Sequence, residues 1–486
     1  MAKSIRVNFV YNIVNTISGL IFPLITYPYV FRILLADGIG QVNFFNSIIS
    51  YVVLLTGLGI PLYGVREVAR VRDNKDDLSK TTIEILSLNL LLDIVGYIVV
   101  IVLCFAINDI RQDYPLFLLL SLSIILTTIG CPWFYSGIED FKYVTIRGIV
   151  VRVICTVFLF VFVRTKADLY WYGLYYVLVS TGNNIINFIF LHKYISFDHL
   201  QWKALNIKKH IKPVLAVFVF NLITSIYLNL DKVMLGFLKD STAVGYYTAA
   251  TQLSHVLLSL ATALGVVVLP RSSNLIKSGR VDEFYKLAGK SYNFILLLTI
   301  PTCLGCVLLA PSLINLFCGS SYQPSIVSLR IVCPIIIAIG MSNVIGMQML
   351  YPLGKIKIVT ISTCVGAGIN FLLNILLIPS LAQDGAAVAT VLAESSVTIS
   401  QIVLSRKVLN IKLVNKDLFR YCISSLIMFL VCAGLSCLVN SDVVMIIVIP
   451  LVGALIYGLL LIVQKDQLVN EMLSIITRKL YHHERV

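Results

Sequence analysis

The sequence predicts an all-α integral membrane protein of about fourteen transmembrane helices, and composition and spacing carry that prediction. Hydrophobic residues make up 58% of the 486 residues and charged residues only 13%, whereas a soluble domain is usually about a quarter charged. Fourteen apolar stretches follow one another with short polar breaks, each close to the roughly 20 residues that cross a bilayer. Because lipid offers no partners for backbone groups, each stretch is expected to be an α-helix.

The breaks between apolar stretches define the predicted spans. In chain order they are 8–33, 38–66, 83–107, 114–136, 144–163, 169–192, 213–236, 243–269, 288–310, 325–350, 357–377, 384–405, 417–438 and 443–463. The breaks at 34–37 and 439–442 are the tightest, so a thirteen-span protein is the alternative. The first span is expected to be a transmembrane helix and not a signal peptide, because it is too long, contains Pro23 and Pro28 and lacks a small-residue cleavage site.

The basic residues fall mainly on one side of these spans. With the N-terminus placed in the cytoplasm, 30 of the 38 Lys and Arg residues lie in inside breaks or at the span ends beside them, five lie in or beside outside breaks, and three lie deeper within spans. This asymmetry predicts that both termini are cytoplasmic and that the number of spans is even. It also accounts for the net charge of +14 without a nucleic-acid partner.

The breaks are too short to hold a soluble domain. The longest are about 14 residues outside, around 311–324, and about 20 residues inside, around 193–212. A sugar polymerase usually carries a long catalytic loop, and a glycosyltransferase needs a nucleotide-sugar domain or an acidic metal motif, so enzymes of these classes are disfavoured. The eleven cysteines lack metal-ligand spacing and are interpreted as small apolar residues. The protein is therefore expected to be no enzyme and to need no metal or cofactor.

Several spans carry polar residues three or four positions apart, which places each set on one helix face. These sets are Asn8, Asn12, Asn15 and Ser18; Asn89, Asp93 and Tyr97; Thr224, Tyr227 and Asp231; Thr248, Thr251, His255, Ser259 and Thr262; Thr363, Asn370 and Asn374; and Thr390, Glu394, Thr398 and Gln401. A polar face toward lipid is costly, so the sets predict a polar cavity. The alternative is hydrogen bonding between neighbouring helices.

Ionisable residues within the spans are more informative still. Asp93, His255 and Glu394 are predicted at mid-depth, Arg152 about a third of the way in from the cytoplasm, and Asp231, Lys232 and Arg330 nearer the outer face. A charge at the bilayer centre costs at least about 2.5–3.5 kcal/mol, so each needs a partner or a function. An ion pair between Asp93 and Arg152 that locks two helices is one alternative, and an interhelical hydrogen bond is another for His255.

Two segments of the chain resemble each other. RILLADGIGQVNFFNSI, from Arg32, and GFLKDSTAVGYYTAATQL, from Gly236, both run from the end of a span, through an Asp, into Gly-x-x-Asn/Thr and a new span. Six spans separate them, so their orientations agree. This similarity predicts a parallel repeat with an N-terminal lobe, 1–212, and a C-terminal lobe, 213–410. Residues 411–486, with spans 13 and 14 and a cytoplasmic tail, would be an appendage.

The same segments resemble a known family. LNLDKVMLGFLKDSTAVGYYTAATQL, from Leu228 to Leu253, is similar to the motif of spans 7 and 8 in polysaccharide flippases. The opening NFVYNIVNTISGLIFPLITYPYVFRILLADGIGQVNF is similar to their first two helices, and RSSNLIKSGRVDEFYKL, from Arg271, resembles their basic loop before span 9. These proteins are the O-antigen and capsule-repeat exporters of the multidrug/oligosaccharidyl-lipid/polysaccharide (MOP) superfamily.

The resemblance implies two six-helix lobes around a V-shaped cavity in the bacterial inner membrane. It implies a lipid-linked oligosaccharide substrate, undecaprenyl pyrophosphate carrying one repeat unit, that moves from the cytoplasmic to the outer leaflet. Membrane lipids and a polysaccharide polymerase are the further partners it suggests. Because no nucleotide-binding motif is present, ATP hydrolysis by this chain is not expected, and family analogy permits coupling to H⁺ or Na⁺.

On this hypothesis, cationic groups in a wet groove would meet the diphosphate, and acidic groups or a histidine would carry the coupling ion. The candidate cations are Arg152, Lys232, Arg330 and Arg32. The candidate ion-coupling residues are Asp93, Asp231, His255 and Glu394. Candidates for contact with sugar hydroxyls are Tyr227, Tyr246, Asn183, Asn184 and Asn187.

Three other functions compete with this hypothesis. A multidrug or cation antiporter of the same superfamily usually has twelve spans and would change drug sensitivity when deleted. A peptidoglycan-precursor flippase also has fourteen spans and would be essential. A membrane-embedded sugar polymerase or ligase would need the external catalytic loop that the breaks do not provide.

Overall fold

The chain is built almost entirely of helices. The computed structural model describes residues 5–195, 205–409, 415–471 and 474, with the exception of many side chains in 5–20, 216–228 and 260–267. The side chains of Asn8, Asn12 and Thr224 and the tail 475–486 lie outside the described part. The α-helices are α1 (Ile5–Gly57), α2 (Ile60–Val71), α3 (Lys75–Ala106), α4 (Asn108–Gln112), α5 (Tyr114–Ile129), α6 (Pro132–Gly137), α7 (Phe141–Phe162), α8 (Leu169–Leu191), α9 (Lys208–Leu238), α10 (Ser241–Lys277), α11 (Val281–Phe317), α12 (Ser325–Val332), α13 (Ile335–Asn343), α14 (Ile356–Ser405), α15 (Lys416–Ser436) and α16 (Asp442–Val463).

The helices account for the predicted number of crossings. Within the described part of the chain, ten stretches are long and apolar enough to span a membrane by length and composition. Two of them, Ile21–Val71 and Ile356–Ser405, are 51 and 50 residues long, which is enough for two crossings each. Helices α9 and α10 cover the remaining predicted spans 7 and 8. The prediction of an all-α membrane protein with about fourteen helices is therefore confirmed.

Several span boundaries differ from the predicted ones at local interruptions of the helix. The break at 34–37 is a single left-handed residue, Leu35 (φ 58°), within α1. Span 2 ends earlier than predicted, at Gly57, and a separate helix, α2, follows. Span 4 is divided between α5 and α6 next to Pro132, and span 10 is divided at Pro334, because proline has no N–H to continue the helical hydrogen bonds.

The chain divides into two compact units, Met1–Gly245 and Tyr246–Val486. In the first unit α1 packs against α3, α5, α7 and α9, and α8 packs against α5 and α7. Helix α9 thus lies with the first unit, one helix beyond the boundary after residue 212 that the repeat suggests. The lobe limits at 212 and 410 stay a prediction.

A fully buried carboxylate, Glu84 of α3, anchors the start of α9 in the first unit. It accepts hydrogen bonds from the backbone N–H of Asn206 at 2.8 Å and from the ammonium of Lys209, and it is bonded to His210 Nε2 at 2.9 Å. The other ring nitrogen of His210 is bonded to the Tyr63 hydroxyl of α2 at 2.6 Å. Because a buried carboxylate is stable only when it is paired and hydrogen-bonded, this cluster fixes the beginning of α9 on α2 and α3.

In the second unit α11 is the central helix. It packs against α12, α13, α15 and α16, while α14 packs against α12 and α13. The Tyr457 hydroxyl of α16 donates to the Leu297 carbonyl of α11 at 3.1 Å, and Asn293 of α11 donates to Asp417 of α15 at 2.9 Å. The two C-terminal helices therefore pack on α11, on which their apolar side chains share one core.

Candidate functional site in the transmembrane helices

Arg152 of α7 points at the polar face of α1. Its Nη1 group donates to the side-chain oxygen of Asn15 at 3.0 Å, to the Asn15 carbonyl at 3.2 Å and to the Ser18 hydroxyl. Asn15 and Ser18, two members of the polar set predicted on span 1, thus accept the hydrogen bonds of this arginine. These partners are neutral, and among the described residues no carboxylate forms an ion pair with Arg152.

Asp93 of α3 is the buried carboxylate closest to the predicted mid-depth. It is 2% exposed and faces the hydroxyls of Thr128 and Thr56, although neither oxygen has strict hydrogen-bond geometry. The neighbouring Asn89 side chain donates to the Thr128 hydroxyl. Among the described residues Asp93 and Arg152 do not form an ion pair, so the alternative in which this pair locks two helices does not describe the structure.

Lys232 of α9 lies beside the second half of α1. Its ammonium donates to the Asn43 side-chain oxygen at 3.3 Å, and the Asn43 amide in turn donates to the Ile39 carbonyl at 2.9 Å. Asp231, the residue before Lys232, is buried and interacts electrostatically with both Lys232 and Tyr51 of α1. This site therefore holds a cation, a carboxylate and a phenol close together.

Arg147, also on α7, was not among the predicted site residues. Its Nε donates to Asn183 at 3.3 Å and its Nη1 to Asn187 of α8. The guanidinium carbon lies 5.2 Å from the ring centre of Tyr143 and 5.9 Å from that of Tyr135. Asn183 and Asn187, two of the asparagines predicted to contact sugar hydroxyls, therefore accept hydrogen bonds from Arg147.

Two equivalent glycines of the internal repeat make the closest backbone approach in the first unit. A Cβ atom at Gly40 of α1 would lie 1.6 Å from the carbonyl oxygen of Ser241, and one at Gly245 of α10 would lie 1.9 Å from that of Ala36. Gly40 thus lies against Ser241, four residues before Gly245. In the same way, Gly245 lies against Ala36, four residues before Gly40. Only glycine allows α1 and the first turn of α10 to cross at this distance.

A polar cavity of about 300 Å³ lies near this crossing. The aspartates that the repeat equates, Asp37 and Asp240, both line it, together with Asp109 from the break after α3. The other lining residues are Gln41, Phe44, Phe45, Gln112, Gly236, Lys239, Ser241 and Thr242. The cavity belongs to the side that the charge distribution assigns to the outside.

The remaining predicted cations and ion-coupling residues lie on α1, α10, α12 and α14. Arg32 of α1 is exposed. Arg330 of α12 is exposed in the second unit, and its Nε donates to the Val307 carbonyl at 3.3 Å. His255 of α10 is exposed and Glu394 of α14 is half-buried, both in the second unit. Among the described residues no group of three His, Cys, Asp or Glu side chains is arranged to hold a metal ion.

Many of the polar stripes are engaged within or between helices. The hydroxyls of Thr251, Ser259 and Thr262 donate to carbonyls of their own helix. Thr390 is bonded to the Tyr247 hydroxyl at 2.8 Å, and Thr398 donates to the Ala338 carbonyl at 2.8 Å. For these hydroxyls the structure therefore agrees with the alternative interpretation, in which they form hydrogen bonds within or between helices.

Asp140 precedes α7, at the end of this helix that the charge distribution assigns to the cytoplasm. The Tyr194 hydroxyl donates to Asp140 at 3.1 Å. Burial, and next the Asp140 carboxylate, raise the pKa of Tyr194 to about 12. The phenol therefore stays protonated near neutral pH and keeps this bond.

Comparison with known proteins agrees with the resemblance seen in the sequence. A family model described as "Polysaccharide biosynthesis protein" matches residues 5–276, and the MatE model matches 216–376. A "Putative O-antigen transporter" of Escherichia coli K12 is 24% identical over 399 residues, which is 81% of this chain and 95% of the relative. A "Probable flippase AglR" of Haloferax volcanii is 26% identical over 189 residues, which is 36% of this chain and 37% of the relative.

Solved structures share the fold. "Lipid II flippase MurJ, inward closed conformation" superposes with a TM-score of 0.74 at 18% identity, covering 95% of this chain and 100% of that one. An inward-facing multidrug resistance MATE transporter of the MOP superfamily gives 0.60 at 13% identity, covering 79% and 94%. Since the first family model covers more than half of the sequence, the chain belongs to the polysaccharide biosynthesis protein family and has the helical fold of MOP-superfamily transporters.

Proposed function

We propose that this protein is a flippase that moves an undecaprenyl-pyrophosphate-linked oligosaccharide repeat unit from the cytoplasmic to the outer leaflet of the bacterial inner membrane, for O-antigen or capsule synthesis. The observation that carries the proposal is the environment of Arg152. A guanidinium within the transmembrane region is held by Asn15 and Ser18, and its partners bear no negative charge. Such a site favours an anion, and a diphosphate matches the fork of donors on arginine.

The substrate chemistry fits a protein of this kind. A pyrophosphate and its sugars do not cross hydrocarbon unaided, whereas the polyprenyl tail can remain in lipid. The protein need only supply a polar path with cations, for which Arg152, Lys232, Arg330 and Arg32 are the proposed residues. The charge asymmetry supports cytoplasmic termini, and a polysaccharide polymerase that consumes the product is the proposed partner.

Ion coupling is a further part of the proposal. Asp93, Asp231, His255 and Glu394 are the proposed carriers of a proton or sodium ion during a cycle of alternating access. Buried Asp93 has neutral neighbours in Thr56 and Thr128, so its protonation would remove an unpaired charge from the helix bundle. The same residue would release its proton when the site opens to water.

The Arg152 assignment is tested by substitution in a strain that depends on this gene for its surface polysaccharide. Arg152→Gln removes the charge but keeps hydrogen-bonding atoms toward Asn15 and Ser18. Because a hydrogen bond to a charged group contributes about 1.5–3 kcal/mol, we expect at least about a tenfold loss of surface polysaccharide at unchanged protein level. Arg152→Lys should retain part of the export, since it keeps the charge and loses the fork.

The matched control is Arg164→Gln, at an exposed arginine just beyond the end of the same helix. This variant should export normally. Full export by Arg152→Gln would remove Arg152 from the substrate path.

A multidrug or cation antiporter is the second candidate, favoured by the MatE match to residues 216–376. Deletion separates the two functions. Loss of surface polysaccharide with unchanged drug tolerance supports the flippase, and drug sensitivity with intact polysaccharide supports the antiporter. A deletion that cannot be obtained at all would instead favour a peptidoglycan-precursor flippase.

A further inference from the structure

Arg147 is a second arginine of α7 whose neighbours carry no negative charge. Its hydrogen bonds go to the side-chain oxygens of Asn183 and Asn187, and its flat face lies near the rings of Tyr143 and Tyr135. Among the described residues no carboxylate lies within ion-pair distance of Arg147. The site therefore carries a net positive charge.

The neutral partners of Arg147 are not those expected for an arginine that only joins two helices. An arginine that only joins α7 to α8 would be best served by a carboxylate at 183 or 187, because a partly buried charge is costly unless it is paired. The chain has asparagine at both positions. Asp140, which precedes α7, accepts a hydrogen bond from the Tyr194 hydroxyl.

Asn187 adds an independent observation. Its side chain is fully buried, and its amide nitrogen has no hydrogen-bond partner although the oxygen of the same amide accepts from Arg147. The backbone carbonyl of Asn187 accepts a hydrogen bond from the Tyr135 hydroxyl at 2.6 Å, so the residue is fixed in place. A buried donor without a partner costs free energy, and an acceptor oxygen arriving at this site would remove that cost.

The location narrows the ligand to a lipid. Arg147 lies about two turns into α7, at the end that the charge distribution assigns to the cytoplasm, and tyrosines beside it are typical of the membrane interface. Phosphate groups of inner-leaflet lipids lie at this depth. Phosphate oxygens accept strongly from both guanidinium and amide donors.

We infer that Arg147 and Asn187 form a binding site for the phosphate group of an inner-leaflet lipid. Resting on the proposed function, that lipid is the prenyl-diphosphate-linked substrate, and Arg147 captures it before transfer. The site is separate from that of Arg152, because Arg147 leans on α8 whereas Arg152 leans on α1. The same phosphate chemistry is also present in an anionic phospholipid, so the experiment must distinguish the two sources.

The test measures ligand binding by purified full-length protein in phosphatidylcholine nanodiscs. The probes are farnesyl diphosphate, farnesol as its uncharged counterpart and dioleoyl phosphatidic acid. Wild type should bind farnesyl diphosphate and not farnesol. Arg147→Gln should weaken that binding at least about tenfold, Arg147→Lys should weaken it less, and Arg164→Gln should leave it unchanged.

Asn187→Asp is the decisive variant. It gives Arg147 a carboxylate partner, so a purely structural arginine would keep or raise the thermal unfolding temperature and leave binding unaffected. The proposed site would instead be neutralised, and farnesyl diphosphate binding should fall about as far as in Arg147→Gln. Wild-type affinity in folded Asn187→Asp and Arg147→Gln proteins would overturn the inference.

The probes also separate the two sources and the two hypotheses. Binding of farnesyl diphosphate much tighter than that of phosphatidic acid supports the substrate, whereas equal affinities and mutual competition keep the phosphate site and overturn its assignment to the substrate. The proposed function is judged separately, by surface polysaccharide in the deletion strain. Intact polysaccharide there would contradict the function even if Arg147 binds the probe.

Discussion

At the scale of single residues, α7 carries two arginines that have no countercharge among the described residues. Arg147 donates to Asn183 and Asn187 of α8 beside two tyrosine rings, whereas Arg152 donates to Asn15 and Ser18 of α1. Glu84, by contrast, is paired with Lys209 and His210. Paired charges hold elements together, whereas unpaired cations in a membrane protein are typical of a path for anions.

Asp93 offers a test of ion coupling at the same scale. Asp93→Asn keeps the shape of the side chain and its contact with Thr56 and Thr128, but it cannot take up or release a proton. We therefore expect normal amounts of folded protein, measured by thermal unfolding in detergent, and a reduced response of transport to an imposed pH gradient in proteoliposomes. The control is Asp73→Asn, at an exposed aspartate in the break between α2 and α3, which should respond as wild type does.

An unaltered response of Asp93→Asn to the gradient would make Asp93 a structural residue. Coupling would then have to rest on Asp231, His255 or Glu394, or on removal of the product at the far side.

The sequence could identify Arg152 but not Arg147, for a physical reason. Arg152 interrupts an apolar run, so its cost in lipid is visible in the sequence. Arg147 lies at the polar edge of the same span, where a basic residue is expected from topology alone. Its role depends on Asn183 and Asn187 of the next helix, and that pairing appears only when the two helices are packed.

At the scale of elements, the internal repeat has a structural counterpart in the crossing of α1 and α10. Gly40 and Gly245, which the repeat equates, each face the backbone four residues before the other. The sequence indicated the equivalence of these glycines, but not that they meet. Interruptions at Leu58 and Cys131, both with positive φ, were likewise not visible, because the apolar runs continue across them.

Substitution of Gly40 tests the importance of this crossing. In Gly40→Ala the new methyl group would overlap the Ser241 carbonyl oxygen, so the helices must separate. We expect a loss of about 1–3 kcal/mol or more in stability, measured as a lower thermal unfolding temperature of the purified protein. Gly289→Ala, in an α11 position where a Cβ would meet nothing within 4 Å, is the control and should be neutral or gain about 0.4–1 kcal/mol.

A Gly40→Ala protein as stable as wild type would show that α1 and α10 are not held at this distance in the membrane. The match between the repeat and the crossing would then have no energetic meaning.

At the scale of the whole molecule, hydropathy alone was sufficient for the fold class. The backbone must satisfy its own hydrogen bonds in lipid, so a chain of long apolar runs has few alternatives to a helical bundle. The family also follows from features spread over much of the chain, as the match to residues 5–276 confirms. The identity of the substrate does not follow from such features, because substrate recognition depends on a few side chains whose neighbours come from distant parts of the sequence.

The most direct test of the account is reconstituted lipid flipping. Purified protein in proteoliposomes should make a fluorescent undecaprenyl-pyrophosphate-linked oligosaccharide in the inner leaflet accessible to a membrane-impermeant quencher, while Arg152→Gln protein should do so much more slowly. Protein-free liposomes should expose only the outer-leaflet fraction. If wild-type proteoliposomes also expose only that fraction, with or without proton and sodium gradients, the protein is not a flippase for this class of lipid.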